Sequence, residues 1–183
     1  MSKRPAAPEF PVIETERLVL RRHRKEDFVP CAAMWADPAV TRYIGGKPYS
    51  EEESWARLLR YAGHWSIMGF GFWAIEEKAS GSFVGEAGFA DFKRDIEPSI
   101  KGVPEIGWAF ATLVHGRGYA TETVRAAVAW GESHLESNRT VCLIHPANLA
   151  SIRVAEKCGF REYRRTVYKG HPTTMFDRGP KPD

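Results

Sequence analysis

The chain has 183 residues, of which 43% are hydrophobic and 27% charged, so it is expected to form one globular domain rather than a disordered chain. The formal net charge of +3 is too small to indicate nucleic-acid binding. Three cysteines, Cys31, Cys142 and Cys158, lack the Cys-x-x-Cys spacing of zinc sites, and their odd number does not suggest a disulfide framework. We expect them to be small core residues in a reducing compartment.

The N-terminal residues 1–13 are rich in proline and alanine and predict a flexible lead-in, followed by a single domain over residues 14–183. The lead-in lacks the apolar stretch of a signal peptide, and no segment reaches the length of a membrane span. We therefore expect a soluble, cytoplasmic protein, monomeric or homodimeric, that binds neither membranes nor nucleic acid.

The first half of the chain predicts two helices and three strands. A short strand over 17–22 precedes a helix over 26–35, which an Asp-Pro pair ends. A second helix over 50–64 opens with Ser50 and has Glu53 at the capping-box position. Strands over 69–77 and 82–92 flank a short turn and predict a hairpin, which a polar loop over 93–104 follows.

The second half alternates strands and helices. A strand over 105–111 leads through a glycine-rich loop into a helix that runs to about residue 135. A buried strand over 140–144 follows, then a helix from Asn148 to Gly159 and two closing strands over 161–169 and 173–177. This order predicts an α/β sandwich around a mixed sheet, with strands 105–111 and 140–144 parallel to each other.

The glycine-rich loop is the most informative segment. It lies between a strand and a helix N-terminus, where backbone N–H groups favour an anionic ligand such as a phosphate. A plain turn that binds nothing remains the alternative. The segment reads His115, Gly116, Arg117, Gly118, Tyr119, Ala120, Thr121, Glu122.

Four blocks together resemble the GNAT superfamily of acyl-CoA N-acyltransferases, and more narrowly its RimJ/RimL-like branch of ribosomal-protein N-acetyltransferases. The blocks are ETERLVLR from Glu14, EIGW from Glu105, GRGYATE from Gly116, and NLAS from Asn148 continuing to EKCGF at Phe160. The resemblance implies a mostly antiparallel mixed sheet, splayed between its two central parallel strands and flanked by about four helices.

The resemblance also implies a ligand, acetyl-CoA or another short acyl-CoA, as co-substrate and without a metal. The family pattern puts the diphosphate on the loop from His115 to Ala120 and the pantetheine arm along Trp108, Ala109 and Phe110, and Thr121 is a further expected cofactor contact. Asn148 matches an asparagine that contacts the cofactor, and a plain helix N-cap is the alternative.

Two positions depart from the family pattern. His115 stands where the family commonly has glutamine, arginine or tryptophan, and is either a surface residue or a diphosphate contact. Ala155 stands where many members have a tyrosine that protonates the leaving thiolate. Ser151, one turn earlier on the same helix face, is the expected substitute and a further cofactor contact.

The implied reaction is direct acetyl transfer from the thioester to a primary amine, with the N–H of Ala109 or Phe110 polarising the oxyanion. Glu105 is the first candidate base, and a strand-end carboxylate facing water is the alternative. Glu86 is the second, because a buried carboxylate among small residues would have a raised pKa. The alternative for Glu86 is a salt-bridged core carboxylate.

The sequence does not identify the acceptor amine. A protein N-terminus, a free amino acid, a polyamine and an antibiotic all remain candidates, and the lack of a strong acidic cluster disfavours polycations. A CoA-binding module without transferase activity is the rival function. A P-loop enzyme is disfavoured, because the chain contains no Gly-x-x-x-x-Gly-Lys-Ser/Thr motif.

Overall fold

The computed structural model describes residues 10–179, so most of the predicted lead-in, residues 1–9, lies outside the described residues. The strands are β1 (Ile13–Glu14), β2 (Leu18–Arg21), β3 (Phe72–Glu77), β4 (Phe83–Ala90), β5 (Glu105–Phe110), β6 (Thr140–Ile144), β7 (Arg161–Tyr168) and β8 (His171–Arg178). The helices are α1 (Phe28–Ala36), α2 (Pro38–Thr41), α3 (Glu51–Met68), α4 (Tyr119–His134) and α5 (Leu149–Lys157). Single 3-10 turns over Lys25–Asp27 and Thr112–Val114 precede α1 and α4.

The eight strands form one sheet in the order β1-β2-β3-β4-β5-β6-β8-β7. Every neighbouring pair is antiparallel except β5 and β6, which are parallel as the sequence predicts. The predicted α/β sandwich is confirmed, with five helices among residues 10–179 in place of about four. The additional helix, α2, has only four residues, too few to produce a periodic pattern.

Two local predictions show how well short signals define the elements. Ser50 and Glu53 form the predicted capping box, in which each side chain accepts a hydrogen bond from the other's backbone N–H. The predicted hairpin is the antiparallel pair of β3 and β4. Helix α3 runs four residues further than predicted and ends at Gly69, whose φ of 72° suits a helix C-terminus.

Residues 10–13, the last part of the predicted lead-in, contact the core in the structure. Phe10 packs on Trp65 with ring centroids 4.5 Å apart, and Ile13 pairs with Leu20 in the sheet. The indole N–H of Trp73 donates to the carbonyl of Pro11 at 2.9 Å. The composition of the segment does not reveal these contacts with the core.

The core lies on both faces of the sheet. The larger cluster lies on the face covered by α4 and α5, and a smaller one joins α1 to Ala109 of β5. The three cysteines are buried and unbridged, which confirms their prediction as core residues. Within residues 10–179, no helix is long and apolar enough to cross a membrane.

Candidate active site

The parallel strands β5 and β6 separate almost as soon as they meet. Among the described residues, Glu105 and Val141 are their one registered pair, and the Val141 N–H donates to the Pro104 carbonyl at 3.0 Å. Beyond this pair the two strands leave a gap in the centre of the sheet. The splay implied by the family resemblance is therefore present.

Alternation along β5 determines which backbone groups face the gap. The Ala111 N–H donates to Val84 of β4, whereas the Phe110 carbonyl lies on the opposite edge. Because backbone groups alternate between the two edges of a strand, the N–H of Phe110 and both backbone groups of Trp108 point towards β6. Of the two predicted oxyanion donors, Phe110 fits, whereas the N–H of Ala109 faces β4.

The loop after β5 leads into α4 through two glycines with left-handed backbone. Gly116 has a φ of 78° and Gly118 a φ of 80°, a conformation that other residues adopt only with strain. No side chain caps α4 at Gly118, and the first intrahelical bond runs from the Glu122 N–H to the Gly118 carbonyl at 3.1 Å. The helix N–H groups left for a ligand are those of Tyr119, Ala120 and Thr121.

Polar contacts from the segment between β1 and β2 hold this loop in place. Arg17 donates to the Arg117 carbonyl at 2.9 Å and to the carboxylate of Glu122 at 2.8 Å. The hydroxyl of Thr15 donates to Glu122 at 2.6 Å. Burial would raise the pKa of Glu122, but the hydrogen bonds from Thr15 and Arg17 lower it. Glu122 thus holds the start of α4 against the β1–β2 turn and stays ionised.

The side chain of His115 turns back to the strand before it. Its Nε2 lies 2.9 Å from the carbonyl of Phe110, so the ring secures the end of β5 although the residue is exposed. Arg117 also faces protein, with a guanidinium nitrogen 3.5 Å from Glu77. In this arrangement the backbone N–H groups of the loop, more than its side chains, are presented to an anion.

A cavity of about 470 Å³ extends from the gap to the loop. It is lined by the predicted cofactor residues Trp108, Ala109, Phe110, His115, Gly116, Gly118, Tyr119, Ala120, Thr121, Asn148 and Ser151, and Arg117 alone of that set is absent. The side chain of Asn148 accepts from the Ser151 N–H at 3.1 Å, so Asn148 is the N-cap of α5. We call this space the donor cavity.

A larger cavity of about 740 Å³ lies next to it, within the size range of small-molecule sites. Both cavities are lined by Trp108, Ala109, Asn148 and Ser151, so they meet at the gap. Gly88 and Gly107 pair directly across β4 and β5 between Glu86 and Glu105, and the ring of Phe72, which lies against Gly107, forms the floor there. We call this space the acceptor cavity.

Glu86 lies fully buried beside this floor and is the Cα partner of Ala109. It accepts hydrogen bonds from Tyr61 at 2.5 Å, Arg57 at 3.2 Å and Trp35 at 3.2 Å. Burial would raise the pKa of Glu86, but the nearby His23, with Nε2 3.7 Å from the carboxylate, and the charge of Arg57 lower it to about 2. The predicted raised pKa is therefore wrong, and the alternative, a salt-bridged core carboxylate, describes Glu86.

Glu105 is 6% exposed, so it is not a carboxylate that faces water. Its two oxygens accept from Nε and Nη2 of Arg94 at 2.6 and 2.7 Å. Burial would lower the pKa of Arg94, but the hydrogen bonds and the charge of Glu105 raise it. This paired, bidentate geometry does not favour proton transfer to Glu105.

Several cavity residues carry no sequence signal of their role. Arg57 and Tyr61 lie one turn apart on α3 and reach Glu86 from a distant part of the chain. His64 has both nitrogens engaged, with Nδ1 2.7 Å from the Phe70 carbonyl and Nε2 accepting from the Asp91 N–H. With both ring nitrogens engaged, His64 has no lone pair free for catalysis.

Comparisons with known proteins agree with this geometry. The chain is 32% identical to the uncharacterized protein YkkB of Bacillus subtilis, over 90% of this chain and 93% of YkkB. A solved structure from Bordetella pertussis, described as a GnaT-family acetyltransferase, is 32% identical with a TM-score of 0.81 and covers 92% of this chain and 99% of its own. The fold also matches RimL, a ribosomal L7/L12 α-N-protein acetyltransferase solved with CoA, at 18% identity and a TM-score of 0.75, over 92% of this chain and 98% of RimL.

The family profile described as acetyltransferase (GNAT) domain matches residues 17–161, which span the splayed strands, the glycine loop and α5. The chain belongs to the GNAT family of acetyltransferases.

Proposed function

We propose that this protein transfers an acetyl group from acetyl-CoA directly to a primary amine. The observation that carries the proposal is the gap between β5 and β6, which opens onto an uncapped helix N-terminus at one end and onto a separate cavity at the other. A donor with an extended arm and a diphosphate fits the first part, and an acceptor fits the second.

The donor cavity supports acetyl-CoA in two ways. The free backbone groups of Trp108 can pair with the amide groups of a pantetheine arm as an added strand would. The N–H groups at the start of α4 suit the diphosphate, because a helix N-terminus favours negative charge. RimL, whose structure contains CoA, shares this fold, and the RimJ/RimL-like branch remains a prediction from the four sequence blocks.

In the proposed reaction, the neutral amine attacks the thioester carbonyl, a C–N bond forms and the C–S bond breaks. The Phe110 N–H, which faces the gap, is placed to polarise the carbonyl oxygen as negative charge develops on it. The CoA thiolate then leaves and takes up a proton. Ser151 lines both cavities and is proposed to relay that proton from water to the thiolate, since Ala155 is fully buried and has no acidic hydrogen.

Proton removal from a protein N-terminal amine does not need a strongly basic side chain. An α-amino group has a pKa of roughly 7.7 to 8.0, so an appreciable fraction is neutral near physiological pH. Because Glu86 and Glu105 are both held by arginines, we propose that water removes the proton. The hypothesis that Glu105 is the base stays open to a direct test by substitution.

Two measurements test the proposed function. Calorimetry with acetyl-CoA, ATP and NAD should show binding of acetyl-CoA alone, and release of free CoA thiol should depend on an added amine. Binding of ATP or NAD without acetyl-CoA would overturn the donor assignment. Tight binding of acetyl-CoA without turnover of any amine or peptide would instead support a non-catalytic CoA-binding module, to which the missing hydroxyl at Ala155 gives some support.

A further inference from the structure

The acceptor cavity has an excess of positive charge. Of the residues that line it, six are lysine or arginine and three are carboxylates. Each carboxylate is paired with one of those cations: Glu86 with Arg57 at 3.2 Å, Glu105 with Arg94 at 2.6 Å and Asp91 with Lys93 at 2.5 Å. Among residues 10–179, the lining cations without a carboxylate partner are Arg42, Arg60 and Lys169.

Arg57 is the best-oriented hydrogen-bond donor in the acceptor cavity. Its guanidinium carbon lies 3.8 Å from the ring centroid of Trp35, and Nε donates to Tyr61 at 2.6 Å and to Glu86. Neither Nη group donates to a residue in the described part of the chain, and neither is sealed from solvent. A fixed guanidinium with two free Nη groups is suited to bind a carboxylate or phosphate bidentately.

A second cation extends this surface. Arg60 lies three residues after Arg57 on α3, and side chains at this spacing share one helix face. Its guanidinium carbon lies 5.3 Å from the ring centroid of Phe92, at the rim of the same cavity. Arg57 and Arg60 thus present an inner and an outer positive charge on one wall.

We propose that the acceptor is a small amine that also carries an anionic group, a carboxylate or a phosphate, which Arg57 binds and Arg60 attracts. This inference rests on the proposed transferase function and specifies its substrate class. A polyamine would bring further positive charge next to unpaired cations, with no free carboxylate among the described lining residues to compensate it. The cavity volume of about 740 Å³ is in the range of small-molecule sites.

Matched pairs of amines test the proposal on the unaltered protein. CoA release should be measured with amino acids against their amides, with phosphoethanolamine against ethanolamine, and with spermidine. We expect kcat/KM to be roughly tenfold or more higher for the anionic member of at least one pair, as one charge-assisted bidentate contact provides. The amino-acid and phosphate pairs distinguish which anion is bound.

Equal rates within each pair, or a preference for spermidine, would overturn the inference and leave the transferase function intact. A preference for peptides with acidic N-termini over every free amine would overturn the small-molecule part. If acetyl-CoA binds and no amine is acetylated, the transferase function fails instead. Calorimetric titration of the same pairs against the acetyl-CoA complex then still decides the inference: tighter binding of the anionic amine supports it, and equal or weaker binding overturns it.

Two variants locate the contact. Arg57→Lys keeps the charge beside Glu86 but loses the bidentate fork, and should raise KM for the anionic amine about tenfold without changing acetyl-CoA affinity. Arg60→Ala removes an exposed charge and should raise the same KM severalfold with no change for the neutral amine. Arg165→Ala, at an exposed arginine of β7 outside the cavity, is the matched control. Unchanged KM in both test variants, in proteins that fold normally, would overturn the assignment.

Discussion

The two cavities that meet at β5 are built from different parts of the polypeptide. The donor cavity depends on backbone: free groups of a splayed strand, two left-handed glycines and an uncapped helix N-terminus. The acceptor cavity depends on side chains from α1, α3, β4, β5, the segment after α2 and the β7–β8 hairpin, and it includes the buried ion pairs of Glu86 with Arg57 and of Glu105 with Arg94. Backbone sites require particular residues in a short segment, whereas side-chain sites combine residues that are far apart in sequence.

This difference predicts which substitutions will reduce stability and which will reduce ligand affinity. A buried ion pair loses its compensation when one partner is removed, whereas a backbone site is damaged only when its conformation changes. Substitutions in the acceptor cavity should therefore reduce stability as well as activity. Substitutions in the donor loop should reduce ligand affinity and have a smaller effect on folding.

The largest effect is expected for Glu86→Ala. The change leaves Arg57 and Tyr61 without their buried acceptor, and loss of one member of a buried ion pair costs about 3 to 5 kcal/mol. Urea denaturation should show this loss, with Glu162→Ala as an exposed, ion-paired carboxylate control that changes stability far less. Equal stability of the two variants would mean that Glu86 does not organise the acceptor cavity.

The same carboxylate should make stability depend on acid pH. Glu86 has a pKa of about 2 in the folded protein and a usual value of 4.5, so its stabilisation is complete above pH 4.5 and is lost as pH falls towards 2. The difference corresponds to an upper limit of about 3 kcal/mol. The free energy of unfolding, measured from pH 6 to pH 2, should fall more steeply for the native chain than for Glu86→Gln. Parallel curves for the two proteins would contradict the lowered pKa of Glu86.

Gly118→Val tests the donor side. A β-branched residue at a φ of 80° is strained, and relief of that strain would displace the N–H groups at the start of α4. Acetyl-CoA affinity should fall about a hundredfold, which corresponds to roughly 2.7 kcal/mol. Gly81→Val is the matched control, because Gly81 also has a positive φ, of 67°, in open space in the β3–β4 turn. A similar affinity in both variants would mean that this loop does not bind the donor.

The contrast between the cavities also explains what could be predicted from sequence. Glycines, an N-cap and a parallel strand pair leave local signals, and the positions of Gly116, Gly118 and Asn148 in the donor cavity follow from them. Glu86 stood out as a lone charge among small residues, but its pKa depends on Arg57 and His23. No local pattern relates those residues, because the fold brings together α3, β4 and the segment after β2.

Glu105→Gln separates a structural carboxylate from a catalytic base. Loss of a general base lowers the rate by roughly 10² to 10⁴-fold. Because both oxygens of Glu105 are bound by Arg94, we expect kcat to fall less than tenfold, with an unchanged pH profile of kcat/KM. A loss beyond a hundredfold, with disappearance of one limb of that profile in a stable variant, would identify Glu105 as the base.

The smallest effect is expected for Ser151→Ala, which lies where the two cavities meet. A thiol has a pKa near 8.5, so the CoA thiolate is a good leaving group and requires little help from an acid. We therefore expect a reduction of kcat of about threefold to tenfold, with acetyl-CoA affinity retained because the Ser151 backbone N–H still donates to Asn148. The loss should fall on kcat rather than on KM, because a proton donated to the leaving group acts only in the transition state. A raised KM for acetyl-CoA with unchanged kcat would instead make Ser151 a donor contact, and the thiolate would then leave without an acid from α5.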